Sequence, residues 1–304
     1  MKTYREFRES GLSSEEALKK AVGQMIGKTI AVSPSPPDRA FLTDVLKMAG
    51  YDASDVNLVT VEDPVGIAMM ESKRADFQMG GAPARSTLEA KGYIPVITNI
   101  DVVEQAPLGD TRGIHHNGWA TTTDFWEKNR DTILRLASVK WRIMKFINEH
   151  PDEALEIHMP FLNKISGHKM SIETGRATYN SLDPFYTFED QYGWFFDPND
   201  KFNEIYPIRA AIKSFESSGV LPEGAVKEDE ISITKEVYSE MLAFKEKSEQ
   251  EMKKAELAIE KSNAKEKNVS QAQELLEKAR FYHEIYDYLD AYRFAEACNR
   301  ILNK

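Results

Sequence analysis

Ser33 and Ser35 lie in the stretch Lys28-Thr29-Ile30-Ala31-Val32-Ser33-Pro34-Ser35-Pro36-Pro37-Asp38, directly after a short apolar run. Gly80 and Gly81 hold the matching place in Asp76-Phe77-Gln78-Met79-Gly80-Gly81-Ala82-Pro83-Ala84-Arg85. Serine hydroxyls and free backbone N–H groups at such a turn can hold an anionic or carbonyl-bearing ligand. Ser35 can also serve as a helix cap, and the glycines either admit a ligand close to the backbone or permit a tight turn. Arg85 could pair with a sulfonate, phosphonate or carboxylate, or remain a solvated first-turn side chain. Asp63 could accept hydrogen bonds from a ligand amine, although its place before Pro64 favours a cap. Trp119 could stack on a planar ligand or belong to the core.

Other residues offer less chemistry. His115 and His116 are adjacent, so on a strand they point to opposite faces and cannot readily share a metal. No acidic or histidine cluster accompanies them, and neither a metal nor a cofactor is expected. The one cysteine, Cys298, leaves no disulfide framework within the chain and no thiolate metal site.

Positioning these turns requires alternating strands and helices. Residues 13–22 read as a helix capped by Ser13 or Ser14, and Thr29–Val32 as a strand. Ser35, Pro36 and Asp38 fit the N-cap, N1 and N3 positions of a helix whose apolar side carries Phe41, Leu42, Val45, Leu46 and Ala49. Further strands are expected at Asn57–Val61, Phe77–Met79 and Tyr93–Ile97, with helices opening at Pro64 and Pro83. That alternation implies a parallel sheet with right-handed crossovers, so both turns open on its carboxyl edge.

Beyond about residue 112 the rhythm becomes helical. Gly113–Thr122 reads as an extended crossing, residues 131–149 as an amphipathic helix, and helices follow at Pro151, Ser171–Asn180 and Ile208–Ser217. From Val237 a three-four apolar spacing predicts one long arm, a polar turn at Lys265–Asn268, and a second arm from an N-cap at Ser270 to Ile301. Phe281, Tyr282, Tyr286, Tyr288, Tyr292 and Phe294 spread over more than one face of that second arm. A two-helix hairpin cannot cover them all. Packing on the main body, a partner or self-association is therefore expected.

The formal net charge of −10 argues against nucleic acid, which demands clustered Lys and Arg. A hydrophobic content of 41% excludes global disorder. The opening residues lack the apolar core of a signal peptide, and no run approaches the roughly 18 apolar residues of a membrane span.

Residues 26–236 resemble the periplasmic solute-binding proteins of ABC importers, in the group handling nitrate, alkylsulfonates, taurine and thiamine-pyrimidine precursors. The resemblance rests on Gly27-Lys28-Thr29-Ile30-Ala31-Val32 with its Ser/Pro turn and on Met48-Ala49-Gly50-Tyr51-Asp52-Ala53-Ser54-Asp55-Val56. It continues through Ala75-Asp76-Phe77 with Gly80-Gly81-Ala82-Pro83, and through Trp119 to Phe125-Trp126-Glu127-Lys128-Asn129 ahead of Asn148-Glu149-His150-Pro151-Asp152-Glu153-Ala154. It implies an open α/β lobe of the type II periplasmic-binding-protein fold, followed by helices and a C-terminal helical hairpin. The expected division is a helical lead-in at 1–25, a ligand-binding lobe at 26–112, a hinge crossing and helical return at 113–236, and the hairpin at 237–304. The first lobe's opening part is absent from this register, which a truncated chain, a second polypeptide supplying that part, or a degenerate gene would each explain.

What the resemblance implies is an extracytoplasmic, non-catalytic component that closes over a small anion or heteroaromatic precursor and docks on a permease. The alternatives are an interaction protein acting through the hairpin and, less favoured, an enzyme on the same fold. The enzyme relatives use an active-site cysteine, and Cys298 lies far along the chain in the helical tail.

Overall fold

The structure, a computed structural model, describes residues 1–81, 84–105, 107–111, 118–166, 169–181, 185–217, 219, 221–261 and 266–303. In chain order come α1 (Tyr4–Glu9), α2 (Ser14–Gly23), β1 (Thr29–Val32), α3 (Pro36–Met48), a 3-10 turn (Ala53–Asp55), β2 (Asn57–Thr60) and α4 (Asp63–Glu71). Then follow β3 (Phe77–Met79), α5 (Ala84–Ala90), α6 (Asn99–Gln105), α7 (Thr123–Lys128), α8 (Arg130–Glu149), α9 (Pro151–Ser166) and α10 (Ile172–Ser181). The chain ends with α11 (Tyr192–Phe196), α12 (Ile205–Ser217), α13 (Glu228–Ile231), α14 (Thr234–Lys261), α15 (Glu266–Glu284) and α16 (Tyr288–Leu302). The class is mixed α/β, as expected. Two compact units result: Met1–His116 with Glu149–Phe185 and Asp197–Pro207, and Asn117–Asn148 with Tyr186–Phe196 and Ile208–Lys304.

In the first unit a parallel sheet has the order β2-β1-β3. β1 is central, and its period of two sends alternate side chains to opposite faces. Ile30 and Val32 pack with α2 and α3 through Leu18, Val22, Phe41, Val45 and Leu46. Ala31 faces α4 and α5 through Ile67, Met70, Ala84 and Leu88. Helices on both faces explain the apolar run of β1, which solvent does not reach. Ser13 caps α2 in a reciprocal box with Glu16.

The fourth strand expected at Tyr93–Ile97 does not form; three strands are present among the described residues. Pro95 lacks a ladder donor, and the Val96 carbonyl accepts the Tyr4 N–H at 2.8 Å. The N-terminal helix thus takes up a backbone group that a strand would have offered to the sheet. Buried Asp101, in the first turn of α6, accepts from the Thr98 backbone N–H at 2.9 Å and from Arg5 Nε at 2.9 Å. Lys201 Nζ donates to the Val103 and Glu104 carbonyls near the C-terminus of that helix.

The second unit is helical throughout its described regular structure. Trp119–Thr121, expected as part of an extended crossing, forms no strand; residues 112–117, including His115 and His116, lie outside the described residues. An aromatic core gathers Trp126, Trp141, Phe188, Phe195, Tyr238, Tyr286 and Tyr288. Tyr238 donates from its hydroxyl to the Phe188 carbonyl at 2.5 Å. Burial first, and the nearby Glu189 carboxylate second, keep this phenol protonated well above its usual range.

The C-terminal region is a three-helix bundle rather than a two-helix hairpin. The second arm begins at Glu266, with Ser270 already inside α15, and breaks after Glu284. Tyr286 takes a left-handed φ of 64°, and the Asp287 side chain caps α16 by accepting from the Asp290 N–H at 3.2 Å. Turning back lets α16 pack against both α14 and α15. Ala255, Ala272, Ala279, Ala291, Ala295 and Cys298 are wholly buried in the second unit. The third helix also pairs aromatics that a hairpin would strand: Tyr282 stacks on Phe294 with centroids 5.2 Å apart. Phe281 stays 56% exposed.

Candidate strand-tip site

All three strands run in one direction, and Val32 is in register with Thr60 on one side and Met79 on the other. Ser33, Val61 and Gly80 therefore leave the sheet at a single edge, its carboxyl edge. This places Ser33, Ser35, Asp63, Gly80 and Gly81 on the same rim.

The first turn differs locally from expectation. Ser35 is the N-cap of α3 but makes no side-chain cap bond; its own N–H donates to Ser33 Oγ at 3.1 Å. The reason is covalent. Pro36 and Pro37 fill the first two helical positions and carry no N–H. The Arg39 N–H bonds to the Ser35 carbonyl at 3.3 Å, which leaves the Asp38 amide as the donor of that turn. The α3 N-terminus is thus poor in the donors that make such ends hold oxyanions.

Asp63 is also displaced from its expected part. Glu62, not Asp63, is the N-cap of α4, and Asp63 is its first helical residue. Its carboxylate instead turns to the sheet and accepts from Gln78 Nε2 on β3, at a long 3.4 Å. Burial raises the Asp63 pKa above the usual carboxylate range, neighbouring Asp38 and Glu62 push it the same way, and the Gln78 bond opposes them. Asp38, Glu62 and Asp63 form no ion pair among the described residues. Gln78 Oε1 is sealed from solvent without a hydrogen-bond partner.

Two glycines make this pairing possible. A Cβ on Gly66 would lie 3.0 Å from the Gln78 amide, and one on Gly80 would lie 2.9 Å from Asp63 Oδ1. Gly81 would meet nothing, and neither Gly80 nor Gly81 has a positive φ. Gly80 is therefore a matter of close approach to Asp63, and neither glycine serves a left-handed backbone.

Arg85 is engaged within its own helix: its Nε donates to Glu89 at 3.0 Å. The Ala82 and Pro83 part of that motif lies outside the described residues. Trp119 belongs to the second unit and is 59% exposed, so it is not a core residue. Sequence reasoning had not singled out Gln78 or Gly66, and had placed Asp38 only as the third residue of a helix. A polar residue between Phe77 and Met79, and a glycine early in an apolar helix, were the available signals. Among the described residues no cluster of His, Cys, Asp and Glu is arranged to hold a metal.

The unpaired Asp63 charge makes a stability prediction. A carboxyl whose folded pKa is raised stabilises most below its unfolded pKa, near 3.9, and that contribution is lost as pH rises through the folded value. At neutral pH the ionised group is a cost. Asp63→Asn removes it and should raise stability by about 0.5 kcal/mol, a small figure because the group is partly exposed. The gain should disappear below about pH 4. Amide exchange in β1, followed from pH 7.5 to 3.5, checks both the sign and the window.

An open parallel sheet with its loops and helix starts gathered at the carboxyl edge is the architecture in which α/β proteins hold small ligands. Residues 11–154, just under half of the chain, match the family model described as NMT1/THI5 like. That model describes the family of nitrate, sulfonate and thiamine-precursor binding proteins, and the chain is similar to it over that segment. No curated protein and no solved structure matches the chain. No helix among the described residues is long and apolar enough to cross a membrane.

Proposed function

We propose that the chain is a solute-binding component of an ABC importer, working outside the cytoplasm and passing a small molecule to a membrane permease. The match of residues 11–154 to the model of a binding-protein family supports this. The observation that carries it is the convergence of the β1, β2 and β3 tips, with Ser33, Asp63 and Gly80, on one edge of a parallel sheet. Ligand held there is gripped by closure of a second lobe about a hinge. Thiol-based catalysis finds no support: the single thiol, Cys298, is buried in the second unit with its pKa raised by burial, the opposite of an activated nucleophile.

Ligand-dependent unfolding tests the reading. A ligand that binds only the folded state adds about 2.7 kcal/mol at one hundred times its Kd. A saturable upward shift of Tm with one small molecule, drawn from a panel of amines, amidines, amino-heterocycles, nitrate, sulfate and sulfonates, is expected. A Tm unmoved by every member at millimolar concentration would sink it.

A further inference from the structure

We infer that α9 carries a self-complementary docking face, on which a second copy of this chain seats its own α9 in antiparallel orientation. The helix is apolar on two opposite sides. On one, Leu155, Met159 and Leu162 pack with Met170, Ile172 and Tyr179 of the segment that leads into and through α10. Gly175 lets α10 come so close that a Cβ there would lie 2.8 Å from Met159 Sδ. On the other side Ile157 is 69% exposed and Phe161 54%, with exposed Pro160 between them. A helix apolar on both sides is one that buries both. Phe161 is already held in place, because its ring stacks on His158 with centroids 5.4 Å apart, and His158 Nδ1 lies 3.2 Å from the Tyr179 hydroxyl.

The charges on the bare side select the occupant. At about 100° per residue, Glu153, Ile157, Pro160 and Lys164 fall within about 60° of arc. Their four-three-four spacing is that of helices packed side by side. Glu153 and Glu156 stand towards the N-terminal end and Lys164 towards the C-terminal end, all exposed and none in an ion pair among the described residues. Asp152, by contrast, is taken by Arg176 of α10 at 2.8 and 3.1 Å.

A twofold axis between positions 158 and 159 sets Ile157 against the second copy's Pro160 and Glu153 against the second copy's Lys164, each contact made twice. Parallel helices would oppose Glu153 to Glu153 and Lys164 to Lys164, and a partner of one charge sign would satisfy only one end. The chain's net charge of −10 makes its copies repel at large, so a local match of this kind is what overcomes the repulsion. The shared stripe is about three turns long. It buries less than the roughly 1,200–2,000 Å² of a stable interface, so the dimer is a weak one.

Sedimentation equilibrium of the full chain at pH 7.5, over a concentration series, tests this. A monomer–dimer equilibrium is expected, with a dissociation constant of roughly tens of micromolar. Ile157→Glu should weaken it at least tenfold and leave the urea midpoint in place, since that side chain is exposed. Glu153→Lys and Lys164→Glu should each weaken it at least threefold. The chain carrying both exchanges is decisive: antiparallel pairing restores it to wild-type strength, whereas parallel pairing gains nothing. A wild-type chain that stays monomeric throughout overturns the inference. So does a dimer indifferent to Ile157→Glu, or one that the double exchange fails to restore. The solute-binding reading stands in each case.

Discussion

Replacing Trp141 by alanine should destabilise the second unit by about 3–5 kcal/mol, the usual cost of deleting a large buried aromatic. Its indole is 2% exposed and meets Phe188 edge-to-face at 5.2 Å and Tyr238 at 5.8 Å. The ring is the hub on which α8, α14 and the 186–196 segment pack. Trp141→Phe is the informative control. Indole Nε1 has no hydrogen-bond partner, so phenylalanine gives up volume but no hydrogen bond. Its cost should stay below about 1.5 kcal/mol, the range of near-conservative core exchanges. All four tryptophans, Trp119, Trp126, Trp141 and Trp194, lie in the second unit. Tryptophan fluorescence during urea unfolding therefore follows this unit alone. A loss under 1 kcal/mol for the alanine variant would show that the aromatic core is not what holds these helices together.

The second large effect concerns the break between α15 and α16. Tyr286 is 7% exposed and packs against Phe188 and Tyr288, yet its backbone is left-handed, a conformation bulky residues rarely adopt. Tyr286→Ala should cost about 3 kcal/mol through the lost ring. Tyr286→Gly removes the same ring and also the Cβ that opposes a positive φ. It should be more stable than the alanine variant by about 1 kcal/mol, reversing the order found in helix interiors. Paired urea titrations of the two variants decide this. Equal midpoints would mean that the backbone at 286 relaxes to a right-handed form once the ring is gone.

The same break shows what the sequence could and could not convey. A turn from one helix to the next is normally announced by Gly or Pro, and Ile285-Tyr286-Asp287-Tyr288 contains neither. Asp287 with Asp290 three residues on was the remaining cap signal, and it sits inside an unbroken apolar periodicity. By contrast, β1 and β3 were legible to the residue, because each is a short apolar run closed by residues that cannot continue a strand. Tyr93–Ile97 has the apolar character of a strand, but no neighbour completes a ladder around Pro95.

At the candidate site, the gathering of Ser33, Asp63 and Gly80 followed from strand direction alone. The pairing of Asp63 with Gln78 did not, because it depends on how closely α4 approaches β3. That distance is set by Gly66 and Gly80, which are far apart in the chain. Spacing along a sequence carries no record of such a contact. For Arg85 both halves of its contact were visible, the charge and Glu89 four residues later, which holds it.

Cys298 is fully buried in the second unit, with its Sγ 3.1 Å from the Ala272 carbonyl of α15. Thiol reagents and oxidants in the medium meet no thiol until the surrounding helices part. The folded molecule is thereby spared covalent cross-linking to its copies, even where the surroundings are oxidising. The rate at which the thiol becomes labelled clocks the opening of its own helical shell, with no probe attached.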